Sequence, residues 1–177
     1  GTFTLSSLGS ISIFISKLNS SGDFVWAKKL GGSSNDSGYS ITTDNNGNVY
    51  TTGVFRGTAD FDPENGVFNL TSMGDRDVFI SKFNKNGLRI WGTYFGGTGS
   101  DTGTACIVDN SNNIYLTGYT DSFTNIASGG YQNSHSGAAN DAFLAKFNSS
   151  GTLIWATYYG GNGNDKGNSV AIDASGN

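Results

Sequence analysis

The sequence predicts an all-β chain built from repeated four-stranded antiparallel sheets, and three observations predict it. First, residues 77–97, DVFISKFNKNGLRIWGTYFGG, recur at 141–161 as DAFLAKFNSSGTLIWATYYGG and more loosely at 12–32 as SIFISKLNSSGDFVWAKKLGG. Trp26, Trp91 and Trp155 mark one position in each copy, 65 and 64 residues apart. Second, Thr, Tyr, Phe, Val and Ile sit between clusters of Gly, Asn, Asp and Ser, which favours strands and turns over helices. Third, each repeat divides into four short alternating runs separated by turn signals, at about 39–44, 48–54, 77–84 and 89–96 in the middle copy. Four strands per unit at a period of 64–65 residues predict a β-propeller, here a partial one of about three blades. A β-helix has a shorter period, and a β-sandwich would not repeat Trp and Gly-Gly so regularly.

The chain divides as the end of one blade (residues 1–37), two complete blades (38–97 and 98–161) and the start of another (162–177). Residues 2–5 match 67–70, so the sequence opens inside a repeat. Residues 12–19 read as a strand with Phe14, Ser16 and Leu18 on one face and Ile13, Ile15 and Lys17 on the other. In the copies both faces are largely apolar, which calls for a covering sheet on each side. Residues 19–22, Asn-Ser-Ser-Gly, form a hairpin turn with Gly supplying the positive φ. The returning strand carries Trp26, read as packed between adjacent sheets like Trp91 and Trp155.

Short strands follow at 40–44, 105–109 and 169–173. Cys106 takes the place of Ile41 and Val170, which makes it a small buried apolar residue. Lone in the chain, it has no intramolecular disulfide partner. The long connections 54–76 and 119–140 keep the period and change the chemistry, as loops on a repeated scaffold do.

At this point the runs GTLIWATYYGGNGNDKGNSVAIDASGN and TADFDPENGVFNLTSMGDRDVFISKFN carry a family resemblance. They resemble the SBBP family of β-propeller repeats, over essentially the whole chain. The resemblance implies a propeller, commonly of seven blades, in bacterial secreted or cell-surface proteins. The version containing DFDP is similar to those of Bacteroidota. It implies no catalytic residues.

Two carboxylate sets are candidate sites. An Asp-x-Gly core recurs as Asp36/Gly38, Asp101/Gly103 and Asp165/Gly167. One reading is a turn whose Asp accepts backbone N–H bonds. The other is a binding face ringed by Asp36, Asp101 and Asp165. The run 34–40 resembles the Asp-box of sialidase-like propellers without its following aromatic. A sialidase also needs an arginine cluster, whereas Arg56, Arg76 and Arg89 stand at unrelated repeat positions. The second set, Asp60, Asp62 and Glu64, alternates as oxygen ligands of Ca²⁺ do. It departs from the EF-hand pattern through Pro63 and the late Gly66. The competing reading is an ordinary acidic turn. His135 is the single histidine, in a loop without a repeated counterpart.

A net charge of −4 with few Lys and Arg argues against nucleic acid. No apolar run is long enough to span a membrane as a helix. The function expected is a non-catalytic extracellular or cell-surface module binding a glycan or protein, or acting as a spacer. The alternative is a polysaccharide hydrolase or lyase using loop carboxylates, which needs two carboxyls about 5–10 Å apart in a cleft. A three-blade array leaves apolar faces that further blades of a longer chain, or self-association, would cover.

Overall fold

The computed structural model describes residues 3–176 except 63, 65, 138 and 174. The match of Thr2 to Val67, and Pro63 and Asn65 of the acidic run, lie outside the described residues. Those residues form twelve strands and no helix.

The middle sheet holds β3 (Ser37–Thr43), β4 (Val49–Phe55), β7 (Asp77–Phe83) and β8 (Arg89–Phe95), in that order. The next holds β9 (Asp101–Val108), β10 (Ile114–Thr120), β11 (Asp141–Phe147) and β12 (Leu153–Tyr159). All neighbours are antiparallel. The register repeats with the sequence. Trp26, Trp91 and Trp155 stand opposite Lys17, Lys82 and Lys146, and a bulge follows each of those lysines. The inner strands β3 and β9 adjoin, while β8 and β12 lie outermost.

The first sheet was not foreseen in full. It pairs β1 (Ile13–Leu18) with β2 (Phe24–Gly32), and then adds a hairpin, β5 (Thr58–Asp60) and β6 (Asn69–Thr71), from the long connection 54–76. The hairpin thus leaves its own blade and extends the preceding one. Beyond Leu30 the edge of β2 has free backbone groups, and Gly31 and Gly32 pair with Asp60 and Ala59. A Cβ on Gly32 would stand 2.3 Å from the Thr58 carbonyl oxygen, so only glycine permits this approach. Gly97, at the same repeat position, meets the Thr124 carbonyl at the same 2.3 Å.

The alternation in β7 buries every residue, because a sheet covers each face. Val78 and Ile80 join Tyr50, Phe143 and Phe147 in one core. Phe79 and Phe83 join Ile13, Ile15 and Phe61 in the other. Burying a side chain such as Phe79 contributes about 2–3 kcal/mol. In β1 only one neighbour is present: Ile13 and Ile15 are buried, while Phe14 is 69% exposed. The long connections each supply one plug at the same repeat position, Phe61 and Ile126, both buried. Phe61 packs on Phe55 and Phe79 with ring centres 5.4 and 5.0 Å away.

Two expectations need correction. Residues 169–173 are not a strand. A strand exists through its partner, and the repeat positions equivalent to β4 and β10 fall after residue 177. The three Trp side chains are half-buried, not buried. Trp91 and Trp155 lie on the edge strands β8 and β12, and Trp26 on β2. Trp26 and Trp91 donate their indole N–H to Lys85 and Ser149 carbonyls of the following blade, at 3.2 and 3.1 Å.

Candidate functional site

Strand direction gathers the variable chemistry on one face. Ser37 pairs with Val54, and Phe55 with Asp77, so the turns entering β3 and β9 and the long connections leaving β4 and β10 lie at the same end.

The recurring Asp residues sit there as internal braces. Asp36 accepts from the Gly32 and Arg56 backbone N–H at 2.7 and 3.1 Å. Asp101 accepts from Gly97 N–H at 2.8 Å, from Ser122 Oγ at 2.9 Å and from Thr120 Oγ1. Asp165 accepts from Gly161 N–H at 2.9 Å. Asp36 and Asp101 are fully buried, and burial pushes both carboxyls above the usual range against the pull of their hydrogen bonds. Asp36 and Asp101 therefore do not display a carboxylate to solvent, which removes them from a ligand-contacting ring. Asp165 is half-buried.

Two acids that the sequence reading passed over lie beneath this face. Asp77 and Asp141 open the recurring stretch, and both are fully buried. Their repetition at its first position was the signal. Asp77 Oδ2 accepts from Met73 N–H at 2.8 Å, whereas Oδ1 has no partner. Burial raises its pKa to about 6, and the neighbouring Asp101 charge adds to the rise. Gly96 separates the two: a Cβ there would stand 2.7 Å from both Asp77 Oδ1 and Asp101 Oδ2. Asp141 Oδ2 accepts from Ser136 N–H at 2.7 Å.

The acidic run folds as a braced turn. Asp60 Oδ1 accepts from Asp62 and Phe68 N–H at 2.9 and 2.8 Å, and Asp62 Oδ1 from Glu64 N–H at 3.1 Å. Glu64 pairs with Lys28, and Arg89 stands 3.9 Å from Asp62. The three acids line a cleft of about 500 Å³ that also holds Lys28 and Lys29. Among the described residues no three metal-ligating side chains converge, so Asp60, Asp62 and Glu64 are not drawn together as a Ca²⁺ cage. Their oxygens serve backbone amides and cationic side chains instead.

The connection 121–140 is pinned at several points. Ser128 and Ala156 exchange backbone bonds of 2.9 Å, Tyr158 N–H donates to the Gln132 carbonyl at 3.0 Å, and Gln132 N–H to Thr157 Oγ1 at 2.8 Å. His135 stacks on Phe123 at 4.4 Å, meets Tyr158 edge-on at 5.6 Å, and places Nε2 3.2 Å from the Thr120 carbonyl. It is a packing residue of this loop. On the outside of the same loop Phe123 is 62% and Tyr131 is 90% exposed.

Elsewhere, Cys106 is buried beside Ser40 as the repeat predicts, with its thiol pushed up to about 11 by burial. The arginines serve separate places. Arg56 pairs with Asp75 at 2.7 Å, Arg76 bonds Ser100 Oγ at 2.7 Å, and Arg89 lies over the Phe68 ring at 3.9 Å.

Comparison with known proteins agrees with this geometry. The family model described as Beta-propeller repeat, SBBP, matches residues 25–54 and 90–127. The two matches begin 65 residues apart, the spacing of Trp26 and Trp91. The chain is also similar to an uncharacterized WD repeat-containing protein of Acanthamoeba polyphaga mimivirus, 31% identical over 117 residues. That alignment takes in 58% of this chain and 8% of the relative, so the chain spans a small part of the relative's length. The SBBP β-propeller repeat thus occurs twice in the chain, and the three four-stranded antiparallel sheets are consistent with a partial β-propeller.

Proposed function

We propose that this chain is a non-catalytic propeller module that presents its loop face to a glycan or protein outside a bacterial cell. One observation carries the reading. The repeated acids of the loop face are committed to the backbone, while the two long connections that emerge there differ wholly in exposed chemistry. A scaffold with constant braces and variable loops suits recognition. Secretion or surface display rests on the SBBP resemblance, and the WD-repeat description of the viral relative is in keeping with a propeller used for binding.

The second reading, a polysaccharide hydrolase or lyase, has less to stand on. Asp77 and Asp101 are neighbours but lie under the surface, and Asp60, Asp62 and Glu64 are engaged in a turn and ion pairs. A screen of glycans and surface proteins, run beside a turnover assay on the same polysaccharides, tests the choice. Saturable binding without product supports the module. Product release that tracks enzyme concentration overturns it.

A further inference from the structure

We propose that the connection 121–140 is a binding site for neutral glycans, with Tyr131 as its stacking platform; this rests on the reading of the chain as a binding module. Tyr131 exposes nine-tenths of its surface, yet it does not sit on a loose tip. Its neighbour Gln132 is bonded to β12 through both backbone N–H and carbonyl. Two residues before Gly130, Ser128 exchanges a pair of backbone bonds with Ala156. The buried plug Ile126 anchors the loop from below. A phenol ring on a fixed backbone offers contact area with little further ordering on binding, because its side chain has few rotatable bonds.

The surroundings select the partner. From Ser122 to Asn140 the chain has no Asp, Glu, Lys or Arg, only hydroxyls, amides, glycine, apolar residues and His135, which is packed between Phe123 and Tyr158. Asn133 is exposed, and its Nδ2 donates to the Gly130 carbonyl at 2.9 Å, which orients that amide next to Tyr131. Gln132 Nε2 is likewise held, by Ser134 and Ser136 at 3.1 and 2.9 Å. A sugar ring has an apolar C–H face and a rim of hydroxyls. An exposed aromatic face, with the exposed and fixed amide of Asn133 two residues along the chain, offers both kinds of contact, and the polar tip of tyrosine tolerates water at the edge. A protein partner would call for a broader apolar centre with charged anchors such as Arg. Acidic glycans would call for Lys or Arg, and this stretch has neither. The equivalent connection 54–76 is acidic and places Gly66 at the repeat position of Tyr131, so it does not repeat this site.

The test is an array of neutral β-glucan, xylan and mannan oligosaccharides beside sialylated and sulfated ones, followed by fluorescence titration of the full chain. Binding to a neutral probe is expected, weakened about tenfold or more in Tyr131→Ala and kept in Tyr131→Phe. Tyr39→Ala, at another exposed tyrosine, is expected to bind as the parent does. An unchanged melting temperature in Tyr131→Ala shows that the fold is intact. Selective binding of charged probes, or no binding of neutral ones, overturns the inference. Neutral binding that survives Tyr131→Ala overturns it too, while the binding-module reading stands. Sugar released from a bound probe sinks that reading instead, with the Tyr131 dependence of the bound fraction still scored separately.

Discussion

Trp91 of the middle blade lies on the backbone of Gly151 in the next blade. The indole N–H donates to the Ser149 carbonyl at 3.1 Å, and a Cβ on Gly151 would stand 2.9 Å from the ring. Trp26 and Gly87 repeat the arrangement one blade earlier, with the indole N–H on the Lys85 carbonyl. The tryptophan thus joins blades by covering the hairpin turn of its neighbour.

Gly151 has φ +83 and Gly22 has φ +84, but nothing lies within 4 Å of a Cβ at Gly22. Gly22→Ala is expected to cost the backbone strain alone, about 1 kcal/mol. Gly151→Ala adds a collision with the Trp91 ring and is expected to cost about 2–3 kcal/mol. Urea unfolding of the pair measures the difference. Equal losses would mean that the Trp91 contact contributes nothing.

Trp91→Ala removes a half-buried ring, so the expected cost is about 2–4 kcal/mol, at or below the usual range for a core Trp. Trp91→Phe keeps part of the packing and loses the N–H bond, with an expected cost nearer 1–2 kcal/mol. A Trp91→Ala midpoint equal to that of the parent would contradict the role assigned to this ring.

Asp77 makes stability fall as pH rises. Its folded-state pKa, raised to about 6, lies above the ordinary carboxyl value, so the folded chain holds this proton more tightly than the unfolded chain. The favourable contribution is full below the ordinary value and is lost through about pH 6. Asp77→Asn keeps an oxygen for Met73 N–H and carries no charge. It is expected to match the parent near pH 4 and exceed it by up to about 2 kcal/mol near pH 8. Asp101 is shifted in the same direction, so a weaker slope of the same sign remains in the variant. Denaturant titrations at the two pH values check this, and a variant no more stable at the higher pH refutes it.

Asp60 holds its turn through two backbone amides. Asp60→Ala is expected to cost about 1–2 kcal/mol, because Asp62 and Phe68 N–H lose their acceptor. Calcium at millimolar concentration is expected to leave the parent's melting temperature unchanged, since the carboxylates are already engaged. A rise that saturates with calcium would place a cation here after all.

The strands and turns were readable because their causes are local. Alternation over seven residues, an Asn or Asp opening a turn and a Gly closing it act within a few residues, so the ends of β4, β7 and β8 follow from the repeat itself. The plug positions Phe61 and Ile126 were not singled out from the sequence, because the two connections share little else, and the structure shows both buried. Asp36 and Asp101 were read correctly as turn acceptors, and also as a displayed ring, since residue type alone does not say which way a carboxylate faces.

By itself, then, the sequence determined the all-β class, the 64–65-residue blade, the hairpin turns and the burial of Cys106. Only the tertiary structure decided that hairpin β5–β6 joins the preceding sheet, that residues 169–173 form no strand, and that Tyr131 stands out from a pinned loop. The physical reason is the same in each case. A strand edge and an exposed ring are defined by contacts made far along the chain, as Asp60 pairs with Gly31 and as Gln132, beside Tyr131, bonds Thr157, and no pattern within a few residues reports such partners.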